Sequence, residues 1–536
     1  IIHNMKNQWN KEESVRYIKK YKALGYHEDM ALRVYTSRLI GRENSLVLHG
    51  GGNTSVKTKL KDIDDSYHDV ICVKGSGWDL SNIEPEGLPA VKLKPLLKLR
   101  KKKYLSDDNM VSYQKRNLLN SKSPNPSVET FLHAFLPHKY VDHTHSNAIL
   151  TLTNRANGKA LCNDIFNDNV KVMPYIMPGF SLALEVNEYL KNYPEINALI
   201  LMNHGIFTFS NSAQESYRLM IKYVSIAENY LKKQKSSFAV IKERKISSAF
   251  TPEMILPVIR GAVSTKNPYI LSFKTNKNII DFMNHSRAKY YMNQGTITPD
   301  HVIRIKPFPL FIDREKITKT KNIRKLIIRE IASYRKRYEN YFNEFNAKSK
   351  IKKHMLDSCP NIIYLQDIGM VSVGQTKKDS MIAMDIAEQN IMVIKDIEST
   401  SHFKTITKNE LFDMEYWSLE QAKLKKQKRE LEGKIVVITG ALGKIGFETY
   451  KIFKNQGAEV VLLDVCGSSV KDFRKQYSDL CIKCDVSEKK SVEKAFSTII
   501  NEYGGLDILI SNAGNAPQGM IADISDKELK KSFDDN

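Results

Sequence analysis

Cysteine is scarce: six residues in a chain of 536 are too few and too scattered to form a disulfide framework. The one close pair, Cys481 and Cys484 in "LCIKCDVS", has redox or zinc spacing. It has no second pair and lies in a strand-like pattern, so both read as unpaired thiols. Long apolar runs are also missing. Nothing approaches the ~20 residues of a membrane-spanning helix, and the opening "IIHNMKNQWNKEES" lacks the apolar centre of a signal peptide. No membrane partner and a cytoplasmic location are therefore expected. No glycine-rich loop ends in Gly-Lys-Ser/Thr, which argues against nucleoside triphosphate binding. Acidic residues are in deficit, with 60 against 82 basic ones and a net charge of +22. That balance suits nucleic acid, yet the lysines are scattered apart from "KLRKKK" (98–103) and "KLKKQK" (423–428), and no nucleic-acid motif accompanies them. We read them as solvated faces and expect no nucleic-acid partner; their field favours a phosphorylated small molecule.

What is present describes a globular protein of two to four domains, 42% apolar and 26% charged. Residues 11–41 read as two amphipathic helices broken near Gly25. Strands are expected at "SLVLHG", "DVICVKG", "YVDHTH" and "NALILMN", each ending at glycine or a polar cluster. A basic stretch, "LKKQKSSFAVIKERKISS", suggests a boundary between about 230 and 250. Beyond it, "IIYLQDIGMVSVGQTKKDS" (362–380) echoes "ALILMNHGIFTFSNSAQES" (198–216), as a duplicated strand-turn-strand-helix unit would, with Ile368 in place of the earlier histidine. The segment 411–432 reads as a charged connecting helix, and from 433 the texture becomes strand, glycine turn, helix, strand.

In "KYVDHTHSNAIL", His143 and His145 lie two residues apart. On a strand that spacing puts both imidazoles on one face, where they can address one ion. Three histidines would leave coordination positions open for a substrate. His204, after an apolar strand and before a glycine, is the best third candidate, with His49, His68, His133 and His138 as competitors. Two glycine turns, "HGGGNTSVK" (49–57) and "KGSGWDL" (74–80), can surround an anion with N–H groups and short polar side chains. Glu129, near the start of a helix in "NPSVETFLHAFLPH", is either a cap favoured by the helix dipole or a proton-handling carboxylate beside the metal.

The motifs "GGNTS", "KGSG", "PSVE", "DHTH" and "NHG" resemble, in order and spacing, the class II sugar-phosphate aldolases of the aldolase/adducin family. "MPGFSLA", "GTITPDHVIRIKP", "DIGMVSVG" and "LFDMEYWSLEQAKL" further resemble the long rhamnulose-1-phosphate aldolases fused to a short-chain dehydrogenase, across essentially the whole chain. The resemblance implies zinc held by His143, His145 and His204, with Glu129 as general acid/base. It also implies Asn53, Ser55, Gly75, Ser76 and Ser127 around the substrate phosphate. Val128 departs from the second serine of many shorter relatives. The implied reaction is cleavage of rhamnulose 1-phosphate to dihydroxyacetone phosphate and lactaldehyde by a homo-oligomer.

Near the C-terminus, "VVITGALGKIGFE" places Gly440, Gly443 and Gly446 between a strand and a helix. That spacing lets a dinucleotide pyrophosphate approach the helix N-terminus. Asp464, ending the next strand, would bind the ribose 2′-hydroxyl and favour NAD over NADP. Asp485 and Val486 in "CDVS", with Asn512, Ala513 and Gly514 in "SNAG", resemble the adenine-contacting and cofactor-stabilising elements of short-chain dehydrogenases. The Ser and Tyr-x-x-x-Lys residues of that family do not occur downstream, so this module is expected to be incomplete. Oxidation of lactaldehyde to lactate is expected only of intact relatives.

The expected fold is therefore α/β. It comprises a class II aldolase/adducin-like zinc domain (1–245), a central α/β extension with a degenerate repeat (246–410), the connecting helix (411–432) and a partial, doubly wound NAD-binding Rossmann domain (433–536). Two other readings compete: an NAD-dependent dehydrogenase with a degenerate front half, and a non-enzymatic adducin-like binding protein. Retention of the three histidines and Glu129 opposes both.

Overall fold

The computed structural model describes residues 5–166, 168–234, 250–422, 424, 428–515, 520 and 522–535. The basic stretch expected to mark a boundary lies largely outside the described residues. The chain forms two compact units that do not follow sequence order. The first comprises Ile1–Ala239, Tyr290–Phe308 and Glu388–Lys425, and the second Val240–Lys289, Pro309–Ala387 and Lys426–Asn536. Among the described residues no helix is long and apolar enough to cross a membrane.

The first unit is built on seven strands: β1 (Asn53–Lys61), β2 (Tyr67–Val73), β3 (Ala90–Lys92), β4 (Tyr140–Thr144), β5 (Val170–Met173), β6 (Ala198–Leu201) and β7 (Gly205–Ser210). Their order across the sheet is β3-β2-β1-β4-β7-β6-β5, and every neighbouring pair is antiparallel except β5 with β6. Helices cover both faces, and the inner strand β6 (ALIL) is accordingly apolar throughout, whereas β1 and β4 carry the polar residues of the site. Val70, Ile200 and Ile206 pack with the helices Glu28–Gly41 and Ala213–Gln234, while Ile71, Leu199 and Phe207 pack with Thr130–Phe135 and Phe180–Asn192. Asp142 faces the first of these layers. There Arg33 Nη2 donates to its Oδ1 at 2.5 Å and Ser216 Oγ donates to its Oδ2 at 2.6 Å, with both members of the ion pair fully buried. His143, one residue on, therefore faces the opposite layer.

"SLVLHG" does not form the expected strand. Leu46 and Val47 are buried in a turn whose chain continues into the glycine loop. The expected helix over 411–432 is instead two short ones, Lys408–Glu415 and Ser418–Ala422, separated at Tyr416 and Trp417. Trp417 is buried and its indole N–H donates to Asp107 Oδ2 at 2.5 Å. That break turns a solvated connector into part of the wall of the first unit.

The second unit holds a four-stranded sheet of β8 (Ile270–Lys274), β9 (Leu310–Ile312), β10 (Ile362–Leu365) and β11 (Gly369–Gly374), ordered β8-β11-β10-β9. The sequence echo has a structural counterpart. β6 and β10 each have 4 residues, β7 and β11 each 6, and the helices that follow, Ala213–Gln234 and Lys377–Glu398, each 22. Asn203 and Asp367 both take positive φ in the connecting turns. In the second copy the turn meets a guanidinium: Asp367 is bridged by Arg314 through Nε and Nη2, and Asn284 Nδ2 donates to Asp367 Oδ1 at 2.8 Å.

The same unit carries a parallel sheet of β12 (Ile435–Thr439), β13 (Glu459–Asp464), β14 (Cys481–Lys483) and β15 (Ile508–Ile510), ordered β14-β13-β12-β15. This is the order of one half of a dinucleotide-binding fold. Ile270 of β8 joins its core with Val437, Val461 and Ile499. Arg260 ties the two sheets by donating to Tyr269 O at 2.7 Å, Gly433 O at 3.2 Å and Asp507 Oδ2 at 2.6 Å.

Candidate functional site

β4 pairs with β1 and β7, placing His143 opposite Asn53 on one side and Phe207 on the other. His145 follows β4, and His204 occupies the β6–β7 turn. The three ring centroids lie 4.9, 5.0 and 5.2 Å apart, and one nitrogen from each ring falls within 4.8 Å of the others. All three residues are buried. His143 stacks on Phe207, with centroids 3.9 Å apart, and its Nδ1 lies 3.1 Å from Ile206 O. As an N–H donor to that carbonyl, Nδ1 leaves the Nε2 lone pair facing the other rings, and His145 Nε2 stands 3.1 Å from it.

Glycine is required beside these rings. A Cβ on Gly205 would drive into the Thr144 carbonyl oxygen and lie 3.1 Å from His143 Cε1 and 3.2 Å from His145 Cδ2. Gly52, at φ +58°, would bring a Cβ to 2.6 Å from His143 O.

Glu129 stands at the N-cap position of the helix Thr130–Phe135, but its side chain makes no capping hydrogen bond. Asn53 Nδ2 donates to its Oε2 at 2.6 Å instead. The carboxylate lies 3.6 Å from His143 Nε2 and 3.8 Å from His204 Nε2. The helix-cap reading therefore gives way to a carboxylate aimed at the histidines.

Burial lowers the imidazole pKa values. His143 falls to about 4, mainly by desolvation, partly opposed by the Ile206 carbonyl and Asp300, with Lys74 lowering it further. His145 is held well below the ordinary histidine value for the same first reason. Near neutrality these rings are neutral, the form whose lone pairs bind a metal, so the donor set fits a divalent ion.

The pocket in front of the rings is lined by Asn53, Gly75, Ser76, Ser127, Glu129 and His145, so the structure gathers most of the expected site. Ser55 is not among them. It is fully buried, with its hydroxyl 2.8 Å from His133 Nδ1. Two residues along a strand carry it about 7 Å further from the mouth than Asn53. The N–H groups of Gly75 and Ser76 are also engaged, donating to Gly87 O and Asn125 O at 2.8 Å each. Among the other histidines, His138 lies against Phe209 with centroids 4.8 Å apart, and His68 lies 3.4 Å from Asp62.

Three pocket residues were not anticipated. Lys74, 4% exposed, donates to Gly50 O at 2.7 Å and Trp78 O at 2.9 Å, stitching the two glycine loops together. Its signal was its place directly before "GSG". Asp300 and Glu420 reach the pocket from distant segments. Both lie in stretches that carry the family resemblance, "GTITPDHVIRIKP" and "LFDMEYWSLEQAKL", but neither was singled out as a site residue.

In the C-terminal sheet, Gly440 turns at φ +57° after β12, Gly443 caps the helix Lys444–Asn455, and a Cβ on Gly446 would meet Gly440 O at 2.5 Å. Asp464 ends β13 and accepts from the N–H groups of Leu442 and Cys466 at 3.0 Å each. Asn512 donates to Thr439 O at 3.0 Å and Gly440 O at 3.1 Å, while the N–H of Ala513 donates to Thr439 Oγ1 at 2.9 Å. Asp485 follows β14 and accepts from Ser487, with Val486 in the same turn, and Gly514 lies beyond Ala513 after β15.

Comparison with known proteins finds three family matches along the chain. The family "Class II Aldolase and Adducin N-terminal domain" matches residues 31–231, "Aldolase class II, second domain" matches 251–424, and "short chain dehydrogenase" matches 434–536. An uncharacterized oxidoreductase of Bacillus subtilis (strain 168), YuxG, is 31% identical over 540 residues, which cover 98% of this chain and 77% of that protein. The chain belongs to the class II aldolase family whose members carry a fused short-chain dehydrogenase domain. The mitochondrial borneol dehydrogenase of Lavandula x intermedia is 36% identical over 110 residues, covering 20% of this chain and 42% of its own. The N-terminal class II aldolase domain of a Thermoplasma acidophilum protein is 40% identical, covering 42% of this chain and 99% of its own with a TM-score of 0.38. Both halves of this fusion are enzyme families. The histidine pocket lies in the aldolase half and the glycine turn in the dehydrogenase half.

Proposed function

We propose that the first unit is a zinc-dependent lyase that cleaves a ketose 1-phosphate, with rhamnulose 1-phosphate as substrate and dihydroxyacetone phosphate and lactaldehyde as products. The observation that carries this reading is the convergence of His143, His145 and His204 beside the Glu129 carboxylate, at a pocket that Lys74 and Ser76 also line. His143, His145 and His204 would hold the ion, which supplies Lewis acidity toward a ketone oxygen.

The remaining work falls to the chain. As the C3–C4 bond parts, the C4 hydroxyl gives up its proton to become the aldehyde and C3 gains one; Glu129, aligned by Asn53, carries the proton to C3. Ser127 Oγ accepts from the Glu129 N–H at 3.2 Å, fixing the start of the helix. The phosphate is met by the Ser76 hydroxyl and the positive charge of Lys74 rather than by the N–H groups of Gly75 and Ser76, which are already engaged. Anchoring that end keeps the reacting carbons in register with Glu129. The choice of rhamnulose over other ketoses rests on the resemblance of "MPGFSLA" and "GTITPDHVIRIKP".

For the dehydrogenase half, NAD is the proposed nucleotide. The Asp464 carboxylate stands beside the glycine turn, where a ribose 2′-hydroxyl is accepted and a 2′-phosphate repelled. A coupled assay for dihydroxyacetone phosphate release from rhamnulose 1-phosphate tests the lyase reading. Release should stop on chelation and be absent in His145→Ala; chelator-insensitive release would exclude the zinc mechanism.

A further inference from the structure

A divalent ion held among buried neutral imidazoles is stabilised by carboxylates close by, the more so because Lys74 lines the same pocket. Glu129 supplies one on the side of His143 and His204. The other side is occupied by Asp300, whose Oδ2 lies 3.7 Å from His145 Nε2, the nitrogen that faces the other rings, and whose side chain is 25% exposed.

Asp300 does not come from the N-terminal aldolase domain. It lies in "GTITPDH", within the span matched by the second aldolase domain, and it is held over the His204 turn by a set of specific bonds. Thr298 Oγ1 donates to His204 O at 3.4 Å, and Asn154 Nδ2 donates to Ile297 O at 2.8 Å. Asn390 accepts from the Ile297 N–H at 3.0 Å while its amide stands 2.9 Å from His301 Nδ1. Gly295, at φ +124°, admits the turn into this segment where a Cβ would strike Leu411. A loop fixed at this many points delivers its carboxylate to a set position. Chance exposure of an acid near a histidine needs none of them.

We infer that Asp300 is the second carboxylate of the metal site: with His143, His145 and His204 holding a divalent ion, it would balance the ion's charge on the His145 side. The site is then completed by the second aldolase domain, and the pair Glu129 and Asp300 flanks the histidines from two sides. The inference rests on the metal reading above, but its main readout does not depend on the substrate.

The test compares full-length wild type with Asp300→Asn, Asp300→Ala, Asp300→Glu and His145→Ala. Zinc affinity is measured by competition with a chromophoric chelator at fixed pH, folding of the metal-free proteins by circular dichroism and melting temperature, and cleavage by kcat and KM. Asp300→Asn and Asp300→Ala should melt as wild type does when metal-free, yet bind zinc about ten- to a hundredfold more weakly. Asp300→Glu should recover part of that loss, and kcat should fall more than KM rises. Zinc affinity within twofold of wild type in both Asn and Ala variants, with His145→Ala unable to hold zinc, would overturn the inference. If zinc affinity depends on Asp300 but wild type cleaves no ketose 1-phosphate, the reaction proposed above fails and the inference stands. Wild type that takes up no zinc overturns both.

Discussion

Asn53 Nδ2 lies 2.6 Å from Glu129 Oε2 and 3.4 Å from Ser127 Oγ, so one amide on the first residue of β1 orients the carboxylate that faces the histidines. Asn53→Ala should leave the fold intact and lower kcat by about a hundredfold or less, whereas Glu129→Gln should cost about 10²- to 10⁴-fold. Steady-state rates with melting curves on both variants separate the two effects. An Asn53→Ala enzyme with unchanged kcat would show that Glu129 is held without it.

Gly205 is packed against both neighbouring rings. Gly205→Ala should displace the β6–β7 turn, reduce zinc content and lower the melting temperature. Metal analysis by plasma mass spectrometry, run beside calorimetry, reads both. A variant holding one zinc per chain at wild-type stability would contradict the packing argument.

Acid should destabilise the metal-free protein through its buried histidines. His143 and His301 are each lowered to about 4 by burial, and His133 and His145 are lowered well below the ordinary value. The unfolded chain takes up these protons near pH 6.5 while the folded chain does not. Stability is therefore fully present above pH 6.5 and lost as pH falls toward 4, by about 1.4 kcal/mol per pH unit for each such histidine. Chemical denaturation of the chelated protein at pH 7.5 and 5.5 should show a clear drop. Equal stability at the two values would mean that the rings are protonated in the fold.

Arg33 and Asp142 are completely buried beneath the strand that carries His143. Asp142→Ala strands the guanidinium and should cost about 3–5 kcal/mol of stability. Urea denaturation provides the measurement, and a loss under 1 kcal/mol would argue that water or a new partner replaces the carboxylate.

The proposed preference for NAD puts Asp464, at the end of β13 beside the glycine turn, against the ribose. Asp464→Ala should weaken NADH binding and narrow the gap to NADPH, as read by fluorescence titration. Unchanged discrimination would place the determinant elsewhere.

The sequence made some of these features legible for definite reasons. The His-x-His spacing picks out two rings that do come together, although β4 ends at Thr144 and His145 lies just past it, and the glycines 440, 443 and 446 are readable because they sit between a strand and a helix. The echo between 198–216 and 362–380 was readable because a strand-turn-strand-helix unit repeats its own turn chemistry, Asn203 in one copy and Asp367 in the other. Ser55 was named from the family resemblance alone, and the structure places it two residues further along β1 than Asn53, against His133 and outside the pocket lining. Asp300 and Glu420 lie in quoted family motifs, but their place in the site was hidden because only tertiary packing brings those segments to the pocket. The break at Trp417 was likewise hidden. Its indole finds Asp107 far back in the chain, and helix propensity over 411–432 carries no trace of that bond.

The convergence of three imidazoles on one ion is tested most directly by X-ray absorption on the zinc-loaded full-length protein, together with zinc content for His143→Ala, His145→Ala and His204→Ala. The account predicts one zinc per chain with about three imidazole nitrogens at roughly 2.0–2.1 Å, and loss of zinc in each variant. A zinc shell dominated by sulfur, or zinc retained in full when His204 is removed, would contradict it.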